Sequence, residues 1–314
     1  MGMRMKRTVV GSFPPEENML LERAIRNVVD LQLEYGIDVV TDGEQRGNMI
    51  EYFEQIPGLE KTNGKLRIAG KIRPMTQLED FYKISDYKKV KSYLDSLGRT
   101  DVGIKVTLTG PITLGFSSVM NGLNYYDGIR DERIYSDMSQ ALLPLAQKAL
   151  DIGAYLQIDE PGLSARFVSP RFAKKFVNEL LSGIHDSLIN EDRVSLHVCG
   201  SINNSKLYGE LLDLNVGVLS FGFSGKEEKR NIEIIKRKDF EDHHKRLGAG
   251  FISNLIVEDE KIALERLTRI SKIVGVENIV YLHPDCGFGS TPKQNVKPIL
   301  ENMEKTSDTF IRSL

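Results

Sequence analysis

Eight short runs rich in β-branched residues punctuate the chain, with longer amphipathic stretches between them. The runs are RTVVGSF, IDVVTDGE, GIKVTLTGP, AYLQIDEP, RVSLHVCG, VGVLSFGF, LGAGFIS and NIVYLHPDCG. The intervening segments, such as ENMLLERAIRNVVDLQLEYG and DEKIALERLTRISKIVG, repeat apolar residues at helical spacing. Strands alternating with helices imply a parallel sheet, because a parallel neighbour is reached only through a crossover. Eight such units in 314 residues suit a closed (β/α)8 TIM barrel better than an open sheet. Residues 51–98 break the alternation. Within them GKLRIAGKIRP reads as a small hairpin inserted after the second strand. No linker, low-complexity tract or short repeat divides the chain, so one catalytic domain over residues 1–314 is expected. Ser169 followed by Pro170, and Thr291 followed by Pro292, read as helix N-caps with a proline in the first turn.

Composition narrows the function classes. The net charge is −2 and the basic residues are scattered, so neither nucleic acid nor an acidic membrane surface is an expected partner. No apolar run approaches the length of a membrane span, and a cytoplasmic location is expected. Two cysteines are too few for a disulfide framework.

In a barrel of this kind, chemistry gathers at the carboxyl ends of the strands. The first predicted strand ends at Ser12, the second at Asp42 and Glu44, and the fourth at Asp159 and Glu160. The fifth ends at His197 and Cys199, and the eighth at His283, Asp285 and Cys286. A bare His-x-Cys is more often a buried thiol beside a structural histidine than a ligand pair. Delivery of both cysteines to one rim shifts the balance. His197, Cys199 and Cys286 together offer one imidazole and two thiolates, a donor set that suits Zn2+ and leaves a position for substrate. Asp159 and Glu160, stiffened by Pro161, can hold an ammonium group or act as an acid–base pair, with helix capping as the plainer role. Glu44 follows a glycine that lets the backbone turn sharply under a ligand. Ser12 sits in a rigid Gly-Ser-Phe-Pro-Pro loop with exposed amides. His185, His243 and His244 read as surface or packing residues.

Taken in order, VVGSFPP, TDGEQRGNMIEYF, LTGPIT, IDEP, HVCG and HPDCGFG resemble the catalytic C-terminal barrel of cobalamin-independent methionine synthases. The resemblance runs nearly end to end and is strongest to the short archaeal-type core forms. It implies zinc-dependent methyl transfer to the thiol of L-homocysteine, giving methionine. By motif, His197, Cys199 and Cys286 would be the metal ligands. Ser12, Glu44 and Asp159 would hold the amino-acid end of homocysteine, and two carboxylates suit an α-ammonium. The donor implied is a methylcorrinoid protein or 5-methyltetrahydrofolate.

Several positions depart from the family pattern. Gly222 stands where a glutamate ligand is usual, and His283 stands in place of an asparagine. Leu255 replaces a histidine acid and Ala165 an acidic residue, and the chain has no tryptophan to stack on a pterin. His283, water or Glu227 are alternative fourth ligands. Two further readings stay open. One is methyl transfer to another thiol such as coenzyme M, and the other is a non-catalytic zinc-binding homologue serving as a partner subunit.

Overall fold

The protein is described by a computed structural model covering residues 5–165 and 169–314. Ten strands are present among these residues: β1 Lys6–Arg7, β2 Val39–Val40, β3 Leu59–Thr62, β4 Lys65–Ile68, β5 Gly103–Thr109, β6 Tyr155–Asp159, β7 Val194–Val198, β8 Val218–Gly222, β9 Arg246–Ile252 and β10 Ile279–Pro284. Eight of them form one parallel sheet in the order β1-β10-β9-β8-β7-β6-β5-β2. A parallel bridge between Thr8 and Val39 joins its two ends and closes the barrel. All eight predicted strands are present, and the expected (β/α)8 fold is the observed one.

The strands form because each central run is apolar enough to be buried on both faces, as in β7, where all five residues are buried. The outward residues pack against a shell of helices, including Leu21–Glu34, Glu132–Asp151, Glu260–Val274 and Lys293–Arg312. Each fully buried aliphatic side chain there is worth about 1.5–3 kcal/mol.

The inserted segment does hold an antiparallel hairpin, but earlier than GKLRIAGKIRP suggests: β3 and β4 pair from Leu59 with Ile68 to Thr62 with Lys65, turning at Asn63–Gly64, so only the KLRI half of that stretch is a strand. The hairpin is followed by the helix Tyr82–Ser96, which returns the chain to the barrel wall. Its buried face carries Lys83, Asp86, Tyr87, Val90 and Leu94.

Among the described residues, neither predicted cap forms through its side chain: Ser169 contributes its backbone carbonyl, which accepts from the Phe172 amide at 2.9 Å. The last helix begins at Lys293, with no side-chain cap bond. The Thr291 hydroxyl instead donates to the Asn254 carbonyl at 2.6 Å, so this residue fastens the loop after β9 rather than the helix end.

Candidate active site

The strand register sets the layers inside the barrel. Thr109 lies opposite Asp159, Asp159 opposite His197, His197 opposite Ser220, and Ser220 opposite Gly248. Partners in a parallel ladder point to the same face, so Asp159, His197 and Ser220 share the interior. Cys199 follows His197 just past the end of β7, and Cys286 follows β10 by two residues.

Among the described residues, one group of side chains could hold a metal ion: His197, Cys199 and Cys286, whose donor atoms all lie within 4.8 Å of one another. Zinc–sulfur bonds of about 2.3 Å place two sulfurs of a tetrahedral site roughly 3.8 Å apart, so the spacing fits. His197 is 1% exposed, and burial, followed by His283, drives its pKa well below the usual imidazole value. A neutral ring is the form that binds a metal. Its Nε2 meets Cys199 Sγ at 2.7 Å. The hydrogen bond between the two cysteines, together with burial, pushes the Cys199 thiol well up, and the same bond brings Cys286 down.

Gly222 ends β8. A Cβ placed there would lie 3.2 Å from the Asp285 carbonyl oxygen and 3.3 Å from the Asp285 Cβ and Cγ. Asp285 thus fills the space beside this strand end, and its carboxylate accepts from the Phe223 and Ser224 amides at 2.9 and 3.0 Å. Of the alternative ligands, His283 has both ring nitrogens engaged elsewhere. Its Nδ1 contacts the Pro284 carbonyl at 2.7 Å and its Nε2 contacts Ser220 Oγ at 2.9 Å. Glu227 lies outside the cluster and faces Arg230 at 3.7 Å.

The opposite side of the mouth is ionic. Glu44 has a φ of 54°, a left-handed conformation uncommon for a residue with a side chain, and it is 9% exposed. Its Oε1 accepts from Lys83 Nζ at 2.7 Å and from the Thr107 hydroxyl at 3.0 Å. Lys83, 2% exposed, also lies 4.0 Å from the centre of the Tyr52 ring. Burial disfavours its charge, but Glu44 and then Asp42 outweigh that and hold its pKa above the usual lysine value. Asp86, on the same helix as Lys83, takes a bidentate pair from Arg46 at 2.6 and 2.9 Å. The inserted helix therefore fastens the Asp42–Arg46 turn at two points.

Asp159 accepts from Gln157 Nε2 at 2.7 Å, and Gln157 in turn accepts from Lys105 Nζ at 2.7 Å. Burial and then the charge of Glu44 push Asp159 up to about 8, and burial brings Lys105 down to about 7. Glu160 turns the other way. It accepts from the Ile112 and Thr113 amides at 2.9 and 2.8 Å and so anchors the start of helix Pro111–Met120. Ser12 is tied to the loop after Cys286, with its Oγ accepting from the Gly289 amide at 3.2 Å and its carbonyl from the Phe288 amide at 2.7 Å.

The structure thus brings His197, Cys199 and Cys286 together on one side of the mouth. Asp159 stands beside them, in register with His197 on the neighbouring strand, Glu44 lies further round with its Oε1 on Thr107 of β5, and Ser12 fastens to the Cys286 loop. Lys83, Lys105, Gln157 and Ser220 were missed by sequence reasoning. Lys83 did leave a signal, because it occupies the first position of the stripe 83, 87, 90, 94 that the helix buries. The three bland histidines are peripheral: His185 caps the short helix Asp186–Asn190, His243 pairs with Asp213 at 3.3 Å, and His244 is exposed.

Residues 12–309 match the family described as the catalytic domain of cobalamin-independent synthases. The chain is 33% identical, over 96% of its length and 99% of the relative's, to a methionine synthase of Methanothermobacter marburgensis. It is 28% identical to a 5-methyltetrahydropteroyltriglutamate–homocysteine methyltransferase of Arabidopsis thaliana, of which it spans 37%. Among solved structures, a B12-independent methionine synthase from Shewanella sp. W3-18-1 in complex with selenomethionine superposes with a TM-score of 0.74 at 17% identity, covering 98% of each chain. A methyltransferase from Methanosarcina mazei does so at 0.63 and 18%, covering 98% of this chain and 95% of that one. These structures share the barrel, and the sequence matches carry the kinship: the chain belongs to the family of cobalamin-independent synthase catalytic domains.

Proposed function

We propose that the protein transfers a methyl group to the thiol of L-homocysteine, giving L-methionine, with Zn2+ held by His197, Cys199 and Cys286. The observation that carries this reading is the cluster of one neutral imidazole and two sulfurs within 4.8 Å, with two buried carboxylates at the same barrel mouth, Asp159 in register beside His197 and Glu44 further round. A zinc ion held there would take the proton affinity out of a coordinated thiol and keep its sulfur nucleophilic near neutral pH.

The chain's own residues do the positioning. Oε1 of Glu44 is committed to Lys83 and Thr107, so Oε2 is the oxygen available to an α-ammonium. Asp159 supplies the second carboxylate, and the incoming ammonium favours its charged form against the burial that raises its pKa. Ser12 and its neighbouring backbone border the same space and support the amino-acid end. The sulfur of a substrate gripped in this way is directed at the His-Cys-Cys side, and orientation of this kind accounts for much of the rate in a displacement at carbon.

For the donor we favour a methylcorrinoid protein over 5-methyltetrahydrofolate. A folate nitrogen leaves only if protonated, and general-acid help of that kind is worth about 10²–10⁴-fold. Leu255, 47% exposed on the loop after β9, has no proton to give. Ala165 offers no acid to a pterin ring, and no tryptophan is present to stack on one. A cobalt leaving group departs without a proton. Exposed Leu255, Ile256 and Val257 on the loop after β9 add an apolar edge that suits a bulky donor.

The test is to supply zinc-loaded protein with homocysteine and either methylcobalamin, a methylated corrinoid protein or 5-methyltetrahydrofolate, and to measure methionine. Faster turnover from the methylcorrinoids is expected. Turnover from the folate alone would overturn the donor reading, and no methionine from any donor would overturn the acceptor reading.

A further inference from the structure

The layer below the metal-binding cluster contains a hydrogen-bonded chain that no motif announces. Ser220 lies opposite His197 across the β7–β8 ladder, and its Oγ meets His197 Nδ1 at 2.8 Å. The next position around the barrel is Gly248. A Cβ at Gly248 would lie 3.0 Å from His283 Nε2 and 3.1 Å from Ser220 Cβ. The missing side chain is therefore the space through which His283, from β10, reaches Ser220 at 2.9 Å. The other ring nitrogen of His283 sits 2.7 Å from the Pro284 carbonyl.

The proton positions in this chain follow from its far end. A carbonyl oxygen can only accept, so His283 Nδ1 must carry the hydrogen. Both rings are buried and, among the described residues, neither bonds a carboxylate, their partners being Ser220, Cys199 and the Pro284 carbonyl, so each is held as the neutral imidazole. A neutral His283 then has a bare Nε2, which accepts the Ser220 hydroxyl hydrogen. With its hydrogen used, Ser220 Oγ accepts from His197 Nδ1–H. His197 is left with a lone pair on Nε2, the atom that faces Cys199.

We propose that Ser220 and His283 are positioning residues that fix the tautomer and ring orientation of His197, so that its Nε2 is permanently presented as a metal donor. The inference rests on the zinc reading above and deepens it. It assigns His283 a place one step behind the metal rather than on it. It also explains why Gly248 has no side chain. Groups of this kind behind a ligand commonly alter metal affinity about 10- to 100-fold.

The test has two independent readouts. In metal-free protein, 15N NMR of the imidazoles is expected to show His197 as the Nδ1–H tautomer. In Ser220→Ala that preference is expected to be lost, and zinc affinity, measured by chelator competition, to fall about 10- to 100-fold. Ser220→Thr, which keeps the hydroxyl, is expected to restore both. An Nε2–H tautomer in the wild type would overturn the relay whether or not any variant folds. So would a folded Ser220→Ala protein with unchanged tautomer and unchanged zinc affinity. Wild-type protein that takes up no zinc would overturn the metal reading itself, leaving the metal-free tautomer measurement to judge the relay.

Discussion

The two sides of the barrel mouth differ in kind. The arc from β7 through β8 to β10 is neutral at its donor atoms, with imidazoles kept uncharged by burial and sulfurs as the reactive atoms, and the Asp285 carboxylate beside Cys286 is committed to the Phe223 and Ser224 amides. The arc from β2 through β5 to β6 is charged, with Glu44 on Lys83 and Asp159 near Lys105, all buried. Under the proposed function this division mirrors the substrate, which has a soft sulfur at one end and a zwitterion at the other. Each end meets surroundings that would serve the other badly. A neutral pocket could not hold an ammonium group, and an imidazole–thiolate set is softer than the carboxylates beside it.

The comparison breaks most sharply at the sulfurs. Cys199→Ser and Cys286→Ser are each expected to abolish stoichiometric zinc binding, read by metal analysis, while circular dichroism shows the barrel intact. Full zinc retention in either variant would remove the neutral arc from the metal chemistry.

The ionic arc breaks through Lys83. Lys83→Met leaves Glu44 buried without its cation, and stripping one partner from a buried pair costs about 3–5 kcal/mol. Denaturant unfolding should show that loss, and Lys83→Met with Glu44→Gln together should recover most of it. Zinc affinity is expected to stay unchanged in both.

A smaller effect is expected where the charges meet substrate. Glu44→Gln and Asp159→Asn should each weaken homocysteine binding by about 1.5–3 kcal/mol, measured calorimetrically on zinc-loaded protein. Loss of zinc in these variants would show that the two arcs are not separate devices. Unchanged homocysteine affinity in both would favour an acceptor thiol with no amino group.

The mildest perturbation is Gly248→Ala. The added carbon meets His283 Nε2 at 3.0 Å, which some sideways movement can relieve. Zinc affinity is expected to fall by about 10-fold, the low end of such effects, with homocysteine affinity at saturating zinc unaffected.

The neutral arc was legible in the sequence because its donors stand at strand ends inside short motifs, and the alternating pattern alone places strand ends on one rim. The ionic arc was half legible. Glu44 and Asp159 sit in such motifs, but Lys83 comes from a helix in the inserted segment, far from any strand end. Only its place on the buried stripe of that helix marked it, and a lysine there reads first as a snorkelling surface residue. Ser220 and His283 needed the register, since a serine among apolar residues says nothing until His197 is known to lie opposite. Glu160 was undecided between capping and catalysis until the amides of Ile112 and Thr113 were seen to converge on it. Thr291 looked like a cap because its neighbours fit one, yet a tertiary acceptor, the Asn254 carbonyl, took its hydroxyl.

The barrel closes between two strands of only two residues each, β1 and β2, through the single bridge from Thr8 to Val39. Side chains replace the missing ladder. Thr8 Oγ1 donates to the Val39 carbonyl at 2.8 Å, and Thr41 Oγ1 donates to the Gly11 carbonyl at 2.8 Å. The joint is also riveted beyond its strands, because the Phe13 amide donates to the Gly43 carbonyl at 2.9 Å and Gln45 Oε1 accepts from the Glu16 amide at 3.0 Å. The loops that carry Ser12 and Glu44 are therefore coupled across the seam, and a displacement of one is passed to the other. His197 and Ser220 ride instead on continuously laddered strands. The barrel thus has two kinds of seam, one stitched by backbone ladders and one riveted by side chains and single amide bonds.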